Sequence, residues 1–419
     1  VQTREQRIAE LDRRVVEASR GIRLLGALSW APDAIERFLS AHRRGAPELP
    51  EVTQVPADHG DAREALASLK ATIDSRDPLG RYLDETAGSY ARAARMLEVP
   101  GTPEFLELSA SLYGRPSDTL PGSARTHLDA ADELLAQTDD LVGAGLAGEP
   151  ELVHSAEVAQ KMFQAQLDAF FGPGKIDVEI DPELASKAAA GSKRVRIRGR
   201  TGFSTRDIDQ LVQHEALVHS ATALNGRAQP LLTAMSLGAP RTTLTQEGLA
   251  TVAELVTRTI DVGRLRRIAL RIRATHLALE GADFIQVFEY FLAAGQSEDE
   301  SARSAMRIFR GGDLRGRYVF TKDVVYLQGM IAVYTYLRKT LSARKPERIA
   351  RAFAGRLHLS DVELLEEDFE SGLIVPPTYL PPWALDLPAL GAHLAFAQLA
   401  LRIELADLSF HEILTRPDH

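Results

Sequence analysis

Apolar residues recur along this chain mostly at helical spacing. Over residues 5–27 they fall at Ile8, Leu11, Val15, Val16, Ile22 and Leu25 with charges between them, which predicts an amphipathic helix. A second helix is predicted after Pro32, through Ile35, Phe38 and Leu39, and then a loop over 43–60, where prolines, Gly45 and Gly60 break the pattern. Helical periodicity resumes over 61–75, 79–98, 103–112 and 123–142, the last opened by Ser123. Gly143 to Pro150, with three glycines and a proline, reads as a linker.

After a helix over 153–171 the pattern changes. Gly172-Pro173-Gly174 stops the helix; Ile176-Asp177-Val178-Glu179-Ile180 alternates apolar with acidic residues, and Arg194-Val195-Arg196-Ile197-Arg198 alternates basic with apolar ones. Both predict half-exposed strands. The basic strand offers an edge to which an extended peptide could add, but its arginines read more simply as solvent-facing charges. Ser204 is a good N-cap for the next helix, with Asp207 at the capping-box position. Further helices are predicted near 243–260, 261–279, 282–294, 299–308, 322–341 and 387–408, with an extended segment around Trp383 marked by Pro376-Pro377 and Pro381-Pro382. Gly311-Gly312 reads as a turn, since no Gly-Lys-Ser/Thr follows to make a phosphate loop. Glu366-Glu367-Asp368 reads as a solvated helix face. The expected class is mainly α, with a small sheet (about 176–180 and 194–198) before the helix that starts at Ser204.

The 419 residues suffice for two or three ordinary domains or one large helical enzyme. There is no cysteine, so disulfides and thiolate metal sites are excluded, and any metal must be held by histidine and carboxylate. The net charge of −9 argues against nucleic-acid partners. No apolar run approaches the roughly 20 residues of a membrane span. The charged N-terminus lacks the apolar core of a signal peptide, so a cytoplasmic location is expected, although a chain starting at Val1 leaves a removed leader open.

Chemistry concentrates at His214-Glu215-Ala216-Leu217-Val218-His219. The residue types are those of a zinc hydrolase helix, two imidazoles and a carboxylate base, but the spacing is one residue longer than H-E-x-x-H. On a regular helix, residues four apart lie about 40° from each other and residues five apart about 140°, so the two imidazoles would diverge. A π-bulge brings positions i and i+5 back to one face; a helix loosened after His214 is the other repair. The flanking Ile208, Leu211, Val212, Leu217 and Val218 bury this helix around its polar residues, and a buried Glu with two imidazoles needs a compensating partner. The plainer reading is a helix whose histidines satisfy local hydrogen bonds. Downstream, Glu247 of Gln246-Glu247-Gly248-Leu249-Ala250 is either a third ligand, leaving a fourth position open for water, or an ordinary helix-start acid. Glu254, two turns on and on the same face, could support the ligands from behind but reads more simply as a surface residue.

Three blocks in order resemble a known family. The run 214–219, then Asn225-Gly226-Arg227-Ala228-Gln229-Pro230, then Gln246–Ala250 is similar to the bacterial QEGLA-motif family, also called flavohaemoglobin expression-modulating and a domain of unknown function. That family is similar to the microtubule-associated tubulin tyrosine carboxypeptidases. Arg310-Gly311-Gly312 and Phe320 to Gly329 extend the resemblance.

The resemblance implies a zinc metallopeptidase in which His214, His219 and Glu247 bind Zn2+ and Glu215 is the general base. It implies a peptide or protein C-terminus as substrate, while the residue removed and the oligomeric state stay open. Tyr318 and Tyr326 are the candidates for stabilising the oxyanion, and Arg227, Arg310 and Lys322 for binding a terminal carboxylate. The helical region 1–150 is expected to cover the cleft of a catalytic region, 151–419. Two alternatives remain: a metal-dependent amide hydrolase for a small molecule, and a non-enzymatic regulatory protein with a structural metal. The intact Glu215 argues against the latter, because a structural site needs no base beside its ligand.

Overall fold

A computed structural model describes residues 2–402 apart from 32, 148–150 and 185, and for 400–402 only the backbone. The class is as expected: helices from Arg4–Ser19 to Leu387–Arg402 surround one small sheet. The 387–408 helix is therefore described only to Arg402, and the linker at 143–150 lies partly outside the described residues.

Element boundaries follow local chemistry. The first predicted helix is two, Arg4–Ser19 and Leu24–Ala27, separated at Gly21, where backbone freedom favours a break. The helix expected from Ser123 starts at His127, because Thr126 and Asp129 form the capping box while Ser123 sits in the preceding turn. Ser204 and Asp207 form the predicted capping box. Trp383 lies in a one-turn helix, Pro382–Leu385, buried against Phe353. Gly311 takes φ of 78°, as a turn requires.

The sheet has a strand the alternation missed. β1 (Asp177–Asp181) pairs parallel with β3 (Arg194–Arg198), and β2 (Ala188–Ala190) pairs antiparallel with β3, giving the order β1-β3-β2. β3 is thus central, and the 194–198 strand offers no edge for peptide addition. Arg194 and Arg196 pair with Glu179 and Asp181 on β1. β2 escaped notice because three alanines carry no alternation.

The motif helix is wedged between two apolar clusters. One joins Ala216 and Leu217 to Phe163, Phe203 and the sheet residues Val178, Val195 and Ile197. The other joins Val218 to Leu249, Val252, Val333, Phe353 and Trp383. The largest cluster runs from Ile8 through Tyr82 and Phe105 to Met235, Tyr326 and Ile374, so the first helices share a core with the later ones. The 366–368 acids are not simply solvated: Asp368 is buried and bonded to Arg4, and Glu366 pairs with Lys345 and Arg348. Among the described residues no helix is long and apolar enough to cross a membrane.

Candidate metal centre

The geometric problem of the long spacing is solved by a full π-helical segment, Val212–Ser220, inserted between the α-helices Thr205–Leu211 and Ala221–Arg227. Its i→i+5 hydrogen bonding places His214 and His219 on one face, their ring centroids 4.9 Å apart. Ser220 Oγ donates to the Gly191 carbonyl just after β2, tying this segment to the sheet.

Glu247 reaches the same point from the Thr243–Val256 helix. That helix touches the Val325–Ser342 helix through two glycines: a Cβ on Gly248 would lie 2.3 Å from the Gly329 carbonyl oxygen, and one on Gly329 2.3 Å from that of Leu244. The contact brings Lys322, in the turn before the second helix, to Glu247, with Nζ 2.8 Å from Oε1. The other carboxylate oxygen, Oε2, lies 3.3 Å from His214 Nε2 and 3.7 Å from His219 Nε2. It is buried without a hydrogen-bond partner. One ligand atom from each residue therefore lies within 4.8 Å of the others. Three lone-pair donors converging on one point, one of them an orphaned buried oxygen, suit a cation, and two imidazoles with one carboxylate suit zinc.

The surroundings orient these donors. Glu254 is fully buried, not on the surface; its Oε1 is 2.7 Å from His214 Nδ1, and Arg264 grips it at 3.2 Å. Burial alone would lower the His214 pKa, but Glu247 and Glu254 raise it to about 10. Burial likewise opposes ionisation of Glu247, yet Lys322 and the histidines hold it well below the usual carboxylate range. Two carboxylates facing His214 thus favour a proton or a cation there. His219 makes a weaker contact, Nδ1 3.5 Å from Gln246 Oε1, which also accepts from Thr222.

Glu215, half-buried and next to His214 in the chain, accepts at Oε2 from the Ala190 N–H at 3.0 Å. Gly191 N–H and Lys187 C=O bond inward to β3, so alternate residues, Ala188 and Ala190, present their main chain outward. The outer edge of β2 therefore lies beside Glu215.

The other predicted residues divide. Tyr326 lies beside Lys322, the partner of Glu247: its ring is 5.1 Å from Lys322 Nζ, and its hydroxyl accepts from Arg307 at 3.3 Å. Arg310 stacks on Phe320, its Nε buried without a partner, and burial with Arg307 nearby lowers its pKa to about 10. Arg227 is exposed and donates to Ser192 Oγ, and Tyr318 contributes its carbonyl to the turn at Asp313. No described contact brings either side chain to the three donors. The block around Arg227 is a scaffold instead. Asn225 and Gln229 bond the main chain at Phe353, Ala354, Val375 and Tyr379, and Gly226 lies where a Cβ would meet the Met235 carbonyl oxygen at 2.2 Å. A hollow lined by Arg4, Asp77, Asp368 and Ser371 shares no residue with the centre.

A family model described as microtubule-associated tyrosine carboxypeptidase matches residues 36–402. The chain belongs to that family. Membership carries a carboxypeptidase-like activity, and the match spans all the residues of the centre. No curated protein matches the chain. Sequence reasoning ranked one residue of this family member's centre, Glu254, too low and missed another, Arg264. Glu254 had a signal, standing seven residues after Glu247 on an otherwise apolar face. Arg264, on another helix, had none.

Proposed function

We propose that this protein is a zinc-dependent carboxypeptidase that removes the C-terminal residue of a peptide or protein. The observation that carries the reading is the convergence of His214, His219 and Glu247, with Glu215, next to His214 in the chain, held at the β2 edge. Zinc held by these three residues would supply Lewis acidity, acidifying a water and polarising the scissile carbonyl.

Glu215 takes the water's proton and passes it to the leaving amine. Its bond to Ala190 N–H holds the carboxylate at the outer edge of β2, where the outward groups not already bonded, the Ala188 N–H and the Ala190 carbonyl, suit an extended substrate. Tyr326 is the tyrosine suited to steadying the oxyanion, because Arg307 polarises its hydroxyl. Among the predicted cations, Lys322 serves Glu247 and Arg227 stands apart, while Arg310 retains an unpaired donor for an acidic group of the substrate further from the metal. The net charge of −9 and the absence of a membrane-crossing helix among the described residues fit a protein substrate in the cytoplasm rather than nucleic acid or lipid.

Metal analysis by mass spectrometry of protein purified without chelators, beside His214→Ala, tests the centre. About one zinc per chain, lost in the variant, is expected. No metal in either protein after zinc is added back would remove the reading.

A further inference from the structure

One guanidinium beside this centre belongs to none of the sequence blocks. Arg356 is fixed by its main chain, whose N–H donates to the Met235 carbonyl at 2.7 Å, and by Gly355, where a Cβ would come within 2.6 Å of the Met235 side chain. One terminal nitrogen donates to the His219 carbonyl at 3.2 Å. The other lies over Gly238, where a Cβ would stand 2.8 Å away. Its Nε is buried and has no partner.

Charge separates Arg356 from its neighbours. Arg241, Arg264 and Arg307 each hold a carboxylate at 2.6–3.2 Å. Among the described residues no acid reaches Arg356 within ion-pair distance, and the carboxylates it does sense are Glu215 and Glu247. A guanidinium enclosed without a counter-ion is unfavourable unless an anion arrives from outside. Five N–H donors are available on the group, and only one is used here.

We propose that Arg356 is the anchor for the α-carboxylate of the substrate's last residue; this rests on the carboxypeptidase reading. When one residue is removed, the carboxylate follows the scissile carbonyl by a single residue, about 3.5 Å of extended chain. The anchor must therefore adjoin the metal donors. Arg356 does so through the His219 carbonyl, whereas the groups around Arg310 are Arg307, Asp323 and the tyrosines Tyr326 and Tyr113, and Lys322 already holds Glu247. A planar fork with a free Nε matches a carboxylate through two parallel N–H bonds.

The test uses the zinc-loaded full chain and a library of N-acetylated peptides made both as free acids and as C-terminal amides. Binding is measured in the Glu215→Gln background, so it does not depend on turnover. Free acids should bind about a hundredfold tighter than amides. Arg356→Gln should erase that preference with zinc content unchanged, and Arg356→Lys should restore part of it. Gly238→Ala, which pushes on the guanidinium tip without removing its charge, should weaken it. A preference that survives Arg356→Gln, or no preference in the parent, overturns the anchor. If Arg356→Gln loses zinc or fails to fold, Arg356→Lys and Gly238→Ala decide the question in the same way. Free acids cut equally well by Arg356→Gln would remove the anchor and leave the carboxypeptidase reading standing. An acid preference lost in Arg356→Gln, with no peptide cut by the parent, would do the reverse.

Discussion

Glu254 Oε1 stands 2.7 Å from Nδ1 of His214, with the carboxylate entirely buried. This contact fixes the imidazole so that Nε2 faces Glu247, and Arg264 fixes the carboxylate in turn. Partners of this kind contribute about 10–100-fold to metal affinity. Glu254→Gln should weaken zinc binding by that factor, measured by competition with a chromophoric chelator. It should also destabilise the fold by about 3 kcal/mol, because Arg264 loses its counter-charge. Adding Arg264→Met should restore stability without restoring affinity; recovery of both would show that Glu254 acts only through folding.

Glu215 bonds the main chain of β2 and, although its charge acts on His214, it supplies none of the three converging donor atoms. Glu215→Gln should keep about one zinc per chain and lower kcat by about 10²–10⁴ on any peptide the parent cleaves. Turnover retained at the parental rate would exclude it as the base.

Lys322 is the counter-ion of Glu247 and also a positive charge beside the cation site. Removing it leaves the buried carboxylate only the two histidines as partners, at a cost of up to about 3–5 kcal/mol. Lys322→Met should therefore lower the melting temperature of the zinc-free protein. A cation then takes over the compensation that the two histidines cannot supply alone, so zinc should raise the melting temperature more in the variant than in the parent. An equal zinc-induced rise in both would mean that the lysine and the metal act independently.

Asp323 sets an acid limit. Burial would raise its pKa, but Arg307, bonded to both carboxylate oxygens, overrides this and holds the carboxyl below the usual range. A carboxyl with a depressed folded pKa contributes stability above its unfolded value near 4, and that contribution is lost as pH falls through the folded value. Urea unfolding of the parent between about pH 4 and pH 2 should show stability falling with pH. In Asp323→Asn the slope should be shallower, from a lower starting stability. Identical slopes would assign the acid limb to other carboxylates.

Local chemistry was legible along the chain because it depends on neighbours a few residues away. Periodicity marked most helices and two of three strands, the Ser204 capping box marked where the motif helix begins, and the forced spacing of His214 and His219 announced the π-helical segment that aligns them. The candidate base Glu215 was visible for the same reason, whereas spacing left Glu247 between a third ligand and a helix-start acid.

Only the tertiary structure decided what those residues meet. Glu247 and Lys322 are brought together because Gly248 and Gly329 let two helices touch, and no spacing rule encodes that crossing. Strand order also lay beyond the pattern, so the edge beside Glu215 is β2 and not the charged strand at 194–198. Glu254 looked like a surface acid, since burial of a charge becomes favourable only when a partner from another helix, here Arg264, arrives to meet it. Arg356 was invisible because its significance is that no acid among the described residues pairs with it, which depends on where distant segments fold.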